Sequence, residues 1–172
     1  QIPIVLYIYF NLMHKPGLGK FISEAAEAGV DGFLALDLPP EEADEYEKLM
    51  QGSDLCSIWL VAPTTPKQRV KEIVSRGSGF IYYISREGVT GMQQSVSETI
   101  ADMTGVIRSQ TDLPIAVGFG ISNPEQARQV ANCSDAIVVG SAIVNQIAEH
   151  GDSPEMPKRV AGYVKTLVEA IK

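Results

Sequence analysis

Three glycine-bearing segments in the second half of the chain carry its strongest chemical signal. SREGVTG holds Gly88, Thr90 and Gly91, GFGIS holds Gly118, Gly120 and Ser122, and VVGSAIV holds Gly140 and Ser141. Each closes a short apolar run, and the last two lead into helix-forming sequence. Glycine lets a backbone come close to an anion, and a helix start adds unpaired N–H groups and partial positive charge. The chemistry this spacing serves is a cup of backbone N–H groups around a phosphate. A tight turn accounts for any one such glycine, but three in succession at strand ends favour the anion.

Other chemistry-bearing residues are more ambiguous. Asp37 closes FLALD just before Pro39 and Pro40. Its carboxylate either faces the strand ends as an acid or base, or caps the turn before Pro39. Glu41, Glu42, Asp44, Glu45 and Glu47 read as a solvated acidic face. Tyr7, Tyr9, Tyr82 and Tyr83 fall in apolar runs, where core packing is the default. His14 and His150 lack the partners of a triad or a metal site, and His150 suits the negative end of a helix. Cys56 and Cys133 show no metal-ligand spacing and read as buried reduced thiols. Apart from Asp37, no strand end offers a carboxylate, Lys or His pair for proton transfer.

These residues need elements to position them. Apolar, β-rich runs at 2–9, 32–36, 57–61, 80–84, 115–118 and 136–139 are each followed by a longer amphipathic stretch. Continuous apolar runs of this length suit strands buried on both faces of a parallel sheet. Helices are expected at 19–28, 40–50, 66–76, 95–109, 141–149 and 156–171. Gly29 reads as the stop of the first, Thr64 or Thr65 as the cap of the third, and Ser122 with Glu125 as a capping box before a further helix. Six alternating units point to right-handed βαβ connections in one domain, 1–172. A complete (β/α)8 barrel takes about 250 residues, so 172 residues read as a barrel lacking about two units. A smaller doubly wound sheet is the alternative, weakened by the absence of Gly-x-Gly-x-x-Gly after the first strand. Gln1 leads straight into a strand-like run without a signal sequence, so the chain reads as a fragment.

Charge narrows the ligand. A net charge of −7 and a pI near 4.8 argue against a nucleic-acid groove, while backbone N–H groups still bind small anions without cationic side chains. No apolar run reaches the roughly 18 residues of a membrane span.

In order, PIVLYIYFN, AGVDGFLALDLPPEE, LVAPTTPKQR, GFIYYISREGVTG, LPIAVGFGIS and VVGSAIV resemble the tryptophan synthase alpha subunit family over essentially the whole chain. The resemblance implies a (β/α)8 TIM barrel of which this chain covers strands three to eight. It implies a cytoplasmic lyase of tryptophan biosynthesis that cleaves indole-3-glycerol phosphate to indole and glyceraldehyde 3-phosphate. Such a subunit needs no cofactor itself and partners a beta subunit that carries pyridoxal phosphate. Phosphate-binding positions of the family match Gly91, Gly120, Gly140 and Ser141. Substrate-pocket positions match Tyr82, Thr90, Phe119, Tyr7 and Leu34, with Thr90 in a mobile loop. Asn11 and Pro39 match positions facing the beta subunit, and Asp37 matches a family aspartate at a strand end. Tyr7 stands where many members carry a smaller or aliphatic residue, which narrows the indole pocket.

The family's catalytic glutamate and aspartate would both lie upstream of Gln1. By the resemblance, the chain therefore holds no catalytic residue and is expected to be inactive alone. The alternative is a non-catalytic phosphate-binding barrel remnant that regulates or pairs with a beta subunit. A different phosphate-sugar barrel would share the glycine-rich ends but not LVAPTTP together with SREGVTG.

Overall fold

A computed structural model describes residues 2–85, 93–118 and 120–172, with the backbone alone at 93–97. In chain order the elements are β1 Val5–Ile8, α1 Phe10–His14, α2 Leu18–Glu27, β2 Gly32–Ala35, a 3₁₀ turn Pro40–Glu42, α3 Asp44–Gln51, β3 Cys56–Val61, α4 Lys67–Ser75, β4 Ile81–Ile84, α5 Gln93–Arg108, β5 Ile115–Gly118, α6 Pro124–Ala131, β6 Ala136–Val138, α7 Ser141–His150 and α8 Met156–Ala170. They form two compact units, Gln1–Tyr82 with Val106–Pro114, and Tyr83–Gly105 with Ile115–Lys172. No helix among the described residues is long and apolar enough to cross a membrane.

In the first unit the strands follow chain order, and β1–β2 and β2–β3 are parallel. No reversal of order occurs, which is the barrel pattern and not the doubly wound one. Helix α2 lays Leu18, Ile22 and Ala25 on the sheet at helical spacing, and Phe21 meets Phe33 of β2 with ring centroids 5.7 Å apart. It ends as Gly29 foretold. Gly29 adopts φ +85°, its N–H reaches the Ala26 carbonyl, and the Val30 N–H reaches that of Ala25. Phe33, Tyr46, Val61 and Val70 form the centre of the core, where Ser57 Oγ donates to the Tyr46 hydroxyl at 3.1 Å.

Local details depart from the sequence reading. The helix expected at 40–50 is broken at Ala43, whose N–H closes a short turn on Pro40 while its carbonyl starts α3 by accepting from Glu47. Neither Thr64 nor Thr65 caps α4. Pro66 occupies that place, and Thr65 Oγ1 instead accepts the Ala62 N–H. Helix α1 was not foreseen. Tyr7 and Tyr9 are exposed at 57% and 58%, whereas Tyr82 and Tyr83 are buried as expected. The reason is position: β1 begins the strand order and has a neighbour on the β2 side only. Cys56 and Cys133 are half-buried, not buried.

The second unit follows β4, β5 and β6 in chain order, with β5 and β6 parallel. Ile115, Val117, Ile121, Ala127 and Val130 make its core. Helix α8 packs on both α6 and α7. Helix α7 buries no side chain fully, and Val144 is 61% exposed.

One reciprocal device recurs near the N-terminal ends of the strands. Asp31 donates its N–H to the Ile4 carbonyl and accepts the Ile4 N–H on Oδ2 at 2.7 Å. Ser78 does the same to Ser57 through its hydroxyl at 2.9 Å. Asp135 does it to Ile115 at 2.8 Å. Each residue thereby locks the strand it precedes against the previous one in a single register.

Candidate functional site

The second unit brings together three of the four expected phosphate-binding residues. Gly118 of β5 pairs with Val138 of β6, and Gly120 and Gly140 each lie two residues beyond that pair. Both glycines therefore stand at the C-terminal ends of adjacent parallel strands, about 4.8 Å apart in such a sheet. Gly120 adopts φ +67°, a conformation that favours glycine. A Cβ at either glycine would meet nothing within 4 Å. Packing therefore does not explain their lack of a side chain.

Gly140 caps α7, and its carbonyl accepts the N–H groups of Ile143 and Val144 at 2.9 and 3.2 Å. The N–H groups of Ser141 and Ala142 have no acceptor within the helix and point from its positive end. Gly140 and Ser141 are exposed, and Ala142 is half-buried. Gly91, the fourth residue, lies outside the described residues, as do Thr90 and Phe119 of the expected pocket.

The turn after Gly120 is held from two helices. Asn123, and not Ser122, caps α6: its Oδ1 accepts the Gln126 N–H at 2.9 Å. Ser122 gives both its N–H and its Oγ–H to Gln126 Oε1, at 2.9 and 3.1 Å. Its carbonyl accepts the Tyr163 hydroxyl of α8 at 2.9 Å, and burial pushes the Tyr163 phenol above its ordinary pKa. Gln126 and Tyr163 were not singled out from sequence. Their link to the turn spans up to 41 residues, and no local pattern announces it.

In the first unit, Tyr7, Leu34 and Tyr82 share one sheet face. Tyr7 is in register with Leu34 and Leu34 with Ile58, so β1, β2 and β3 point Tyr7, Leu34 and Ile58 the same way. Tyr7 and Tyr82 stand edge to face, with centroids 6.2 Å apart and planes at 89°. Burial, and secondarily Tyr7, raises the pKa of the Tyr82 phenol. The face is an apolar wall fit for an aromatic ring, and Ile58 belongs to it although sequence reading passed it over.

Asp37 lies just beyond the C-terminal end of β2, beside the end of β1. It accepts the Phe10 N–H at 2.7 Å and so ties the start of α1 to the end of β2. Asn11 is exposed on that short helix, and Pro39 is half-buried at the head of the 3₁₀ turn. Among the described residues no group of His, Cys, Asp or Glu is placed to hold a metal ion.

The family description "Tryptophan synthase alpha chain" matches residues 1–172. The chain is 48% identical to the tryptophan synthase alpha chain of Opitutus terrae, over 100% of its own length and 65% of that protein's. With that of Geotalea daltonii it is 43% identical, over 100% and 63%. The crystal structure of the tryptophan synthase alpha chain from Legionella pneumophila superposes with a TM-score of 0.86 at 34% identity, covering 98% of this chain and 62% of that one. The chain thus spans somewhat less than two thirds of the length of the curated relatives it matches.

Proposed function

The chain belongs to the tryptophan synthase alpha chain family, and on that premise we propose that it supplies the substrate-binding part of a cytoplasmic lyase that cleaves indole-3-glycerol phosphate to indole and glyceraldehyde 3-phosphate. The observation that carries this reading is the pair of strand ends at Gly120 and Gly140, open above both glycines and flanked by the free N–H groups of Ser141 and Ala142. A phosphate seated there accepts hydrogen bonds from backbone donors that need no rearrangement to receive it. By family resemblance, Gly91 adds a further donor.

The indole ring lies against Tyr7, Leu34 and Tyr82, with Phe119 and Thr90 completing the pocket. The retro-aldol step moves a proton onto the leaving indole carbon and removes one from the glycerol hydroxyl. A positioned pair of carboxylates is the chemistry that such proton transfers need. Asn11 and Pro39 face a beta subunit, which takes up the indole and holds the pyridoxal phosphate. The alpha chain itself uses no cofactor.

The decisive assay joins this chain to the portion of the Opitutus terrae relative that it does not cover and measures indole release from indole-3-glycerol phosphate. Release that glycerol 3-phosphate inhibits is the expected result. A folded hybrid that releases no indole sinks the reading.

A further inference from the structure

The turn that follows Gly120 is fixed at both peptide planes around Ser122. Gln126 Oε1 holds the plane between Ile121 and Ser122 through the Ser122 N–H, and Tyr163 holds the next plane through the Ser122 carbonyl. Asn123 anchors the following residue by capping α6. Upstream of these ties, the N–H groups of Gly120 and Ile121 meet no acceptor among the described residues. The downstream half of the turn is spent on internal bonds, and the exposed Gly120 opens its upstream half.

We propose that Tyr163 is a positioning residue of the phosphate cup: with Gln126 it locks Ser122 so that the Gly120 and Ile121 N–H groups keep one orientation. The inference rests on the phosphate reading above and adds a control point to it. Two independent features support it. Tyr163 belongs to α8, which packs on α6 and α7, the helices that follow the two glycine-bearing strand ends. Its phenol is also a donor to the Ser122 carbonyl at 2.9 Å, un-ionised at neutral pH as an ordinary tyrosine is. The cup thereby becomes sensitive to how α8 is seated, although α8 offers no group to the anion. A preorganised donor pair loses affinity when its peptide planes are free to rotate, because ordering them is then charged to binding.

The test is a titration of the full chain with inorganic phosphate, following the backbone amide signals of Gly120 and Ser141, for the wild type, Tyr163→Phe and Gln126→Ala. The removal of one hydroxyl in Tyr163→Phe should weaken phosphate roughly three- to ten-fold, the effect of one lost hydrogen bond. The loss should appear at Gly120 with a changed amide signal even before phosphate is added. Melting with and without phosphate separates this from a general loss of stability, since only the phosphate-induced rise reports affinity. Saturable binding by the wild type with unchanged affinity in Tyr163→Phe overturns the positioning role and leaves the phosphate site standing. No saturable binding by the wild type brings down the phosphate site and the clamp together. If Tyr163→Phe does not fold, Gln126→Ala is read in the same way, and wild-type affinity there overturns the proposal.

Discussion

Gly32 in the first unit and Gly140 in the second are each one methyl short of alanine, and the missing atom would meet opposite surroundings. On Gly32 it would lie 2.6 Å from the Cys56 carbonyl oxygen and 2.9 Å from Ile58 Cδ1. On Gly140 it would meet nothing within 4 Å. The first glycine lets β2 and β3 close on each other; the second keeps space clear above a helix start. The same residue type therefore marks packing in one unit and an unfilled approach in the other. The contrast extends beyond glycine. The first unit ties its helices together with Arg69–Glu41 and Arg76–Glu47 ion pairs at 2.6 Å, while the second leaves α7 without a fully buried side chain.

Three measurements can break or sharpen that contrast. The largest effect is expected from Gly32→Ala, where the backbone oxygen of Cys56 cannot move aside as a side chain could. Overpacking of this kind costs about 1–3 kcal/mol, so the melting transition should fall clearly while phosphate affinity in the folded chain stays the same. A stable Gly32→Ala chain would remove the packing half of the comparison.

Gly140→Ser should show the reverse pattern. Serine is favoured at a helix cap and its Cβ has room, so stability should hold within about 0.5 kcal/mol. Phosphate should bind about ten-fold more weakly, because the new side chain stands in the approach to the Ser141 and Ala142 donors. Equal affinity by isothermal titration would return Gly140 to the status of a plain turn residue.

The smallest effect concerns the ion pairs of the first unit. Arg69 holds the Glu41 carboxyl at about 2, below its ordinary 4.5, chiefly through side-chain hydrogen bonds. A carboxyl lowered in the folded state contributes stability that is complete above the unfolded pKa and lost as pH falls through the folded one. The difference between wild type and Glu41→Gln should therefore be full above pH 4.5 and vanish near pH 2. Because the pair is exposed, the difference should be small and should shrink further in salt. A gap that persists at the acid end would mean that Glu41 acts through packing and not through its charge.

Much of this architecture was legible in the sequence, for a definite reason. The run at 115–118 became β5 without a change of boundary, and 32–36 became β2 less one residue, because uninterrupted apolar stretches between glycine and polar signals have few other uses. That Gly120 and Gly140 follow strand ends was legible, because a glycine after an apolar run is a local feature. What escaped was non-local. Helix α1 lacks a side-chain cap and takes its anchor from Asp37, 27 residues away. Ser122 looked like a cap by type, but Asn123 holds the Gln126 N–H and Ser122 is claimed by Gln126 and Tyr163. Tyr7 was misjudged as core because side-chain alternation along a strand says which face a residue takes and not whether another element covers it.

The reciprocal locks at Asp31, Ser78 and Asp135 sit where strands begin, and in the second unit the glycines proposed to hold the anion sit where strands end. Within the second unit, the Asp135 lock and the proposed recognition by Gly120 and Gly140 thus fall at opposite ends of β5 and β6. A loop at the recognition end can lengthen, shorten or change its residues without altering which strand positions face each other. Such a chassis lets chemistry be rewritten one loop at a time, by selection or by design, while the strands keep their count.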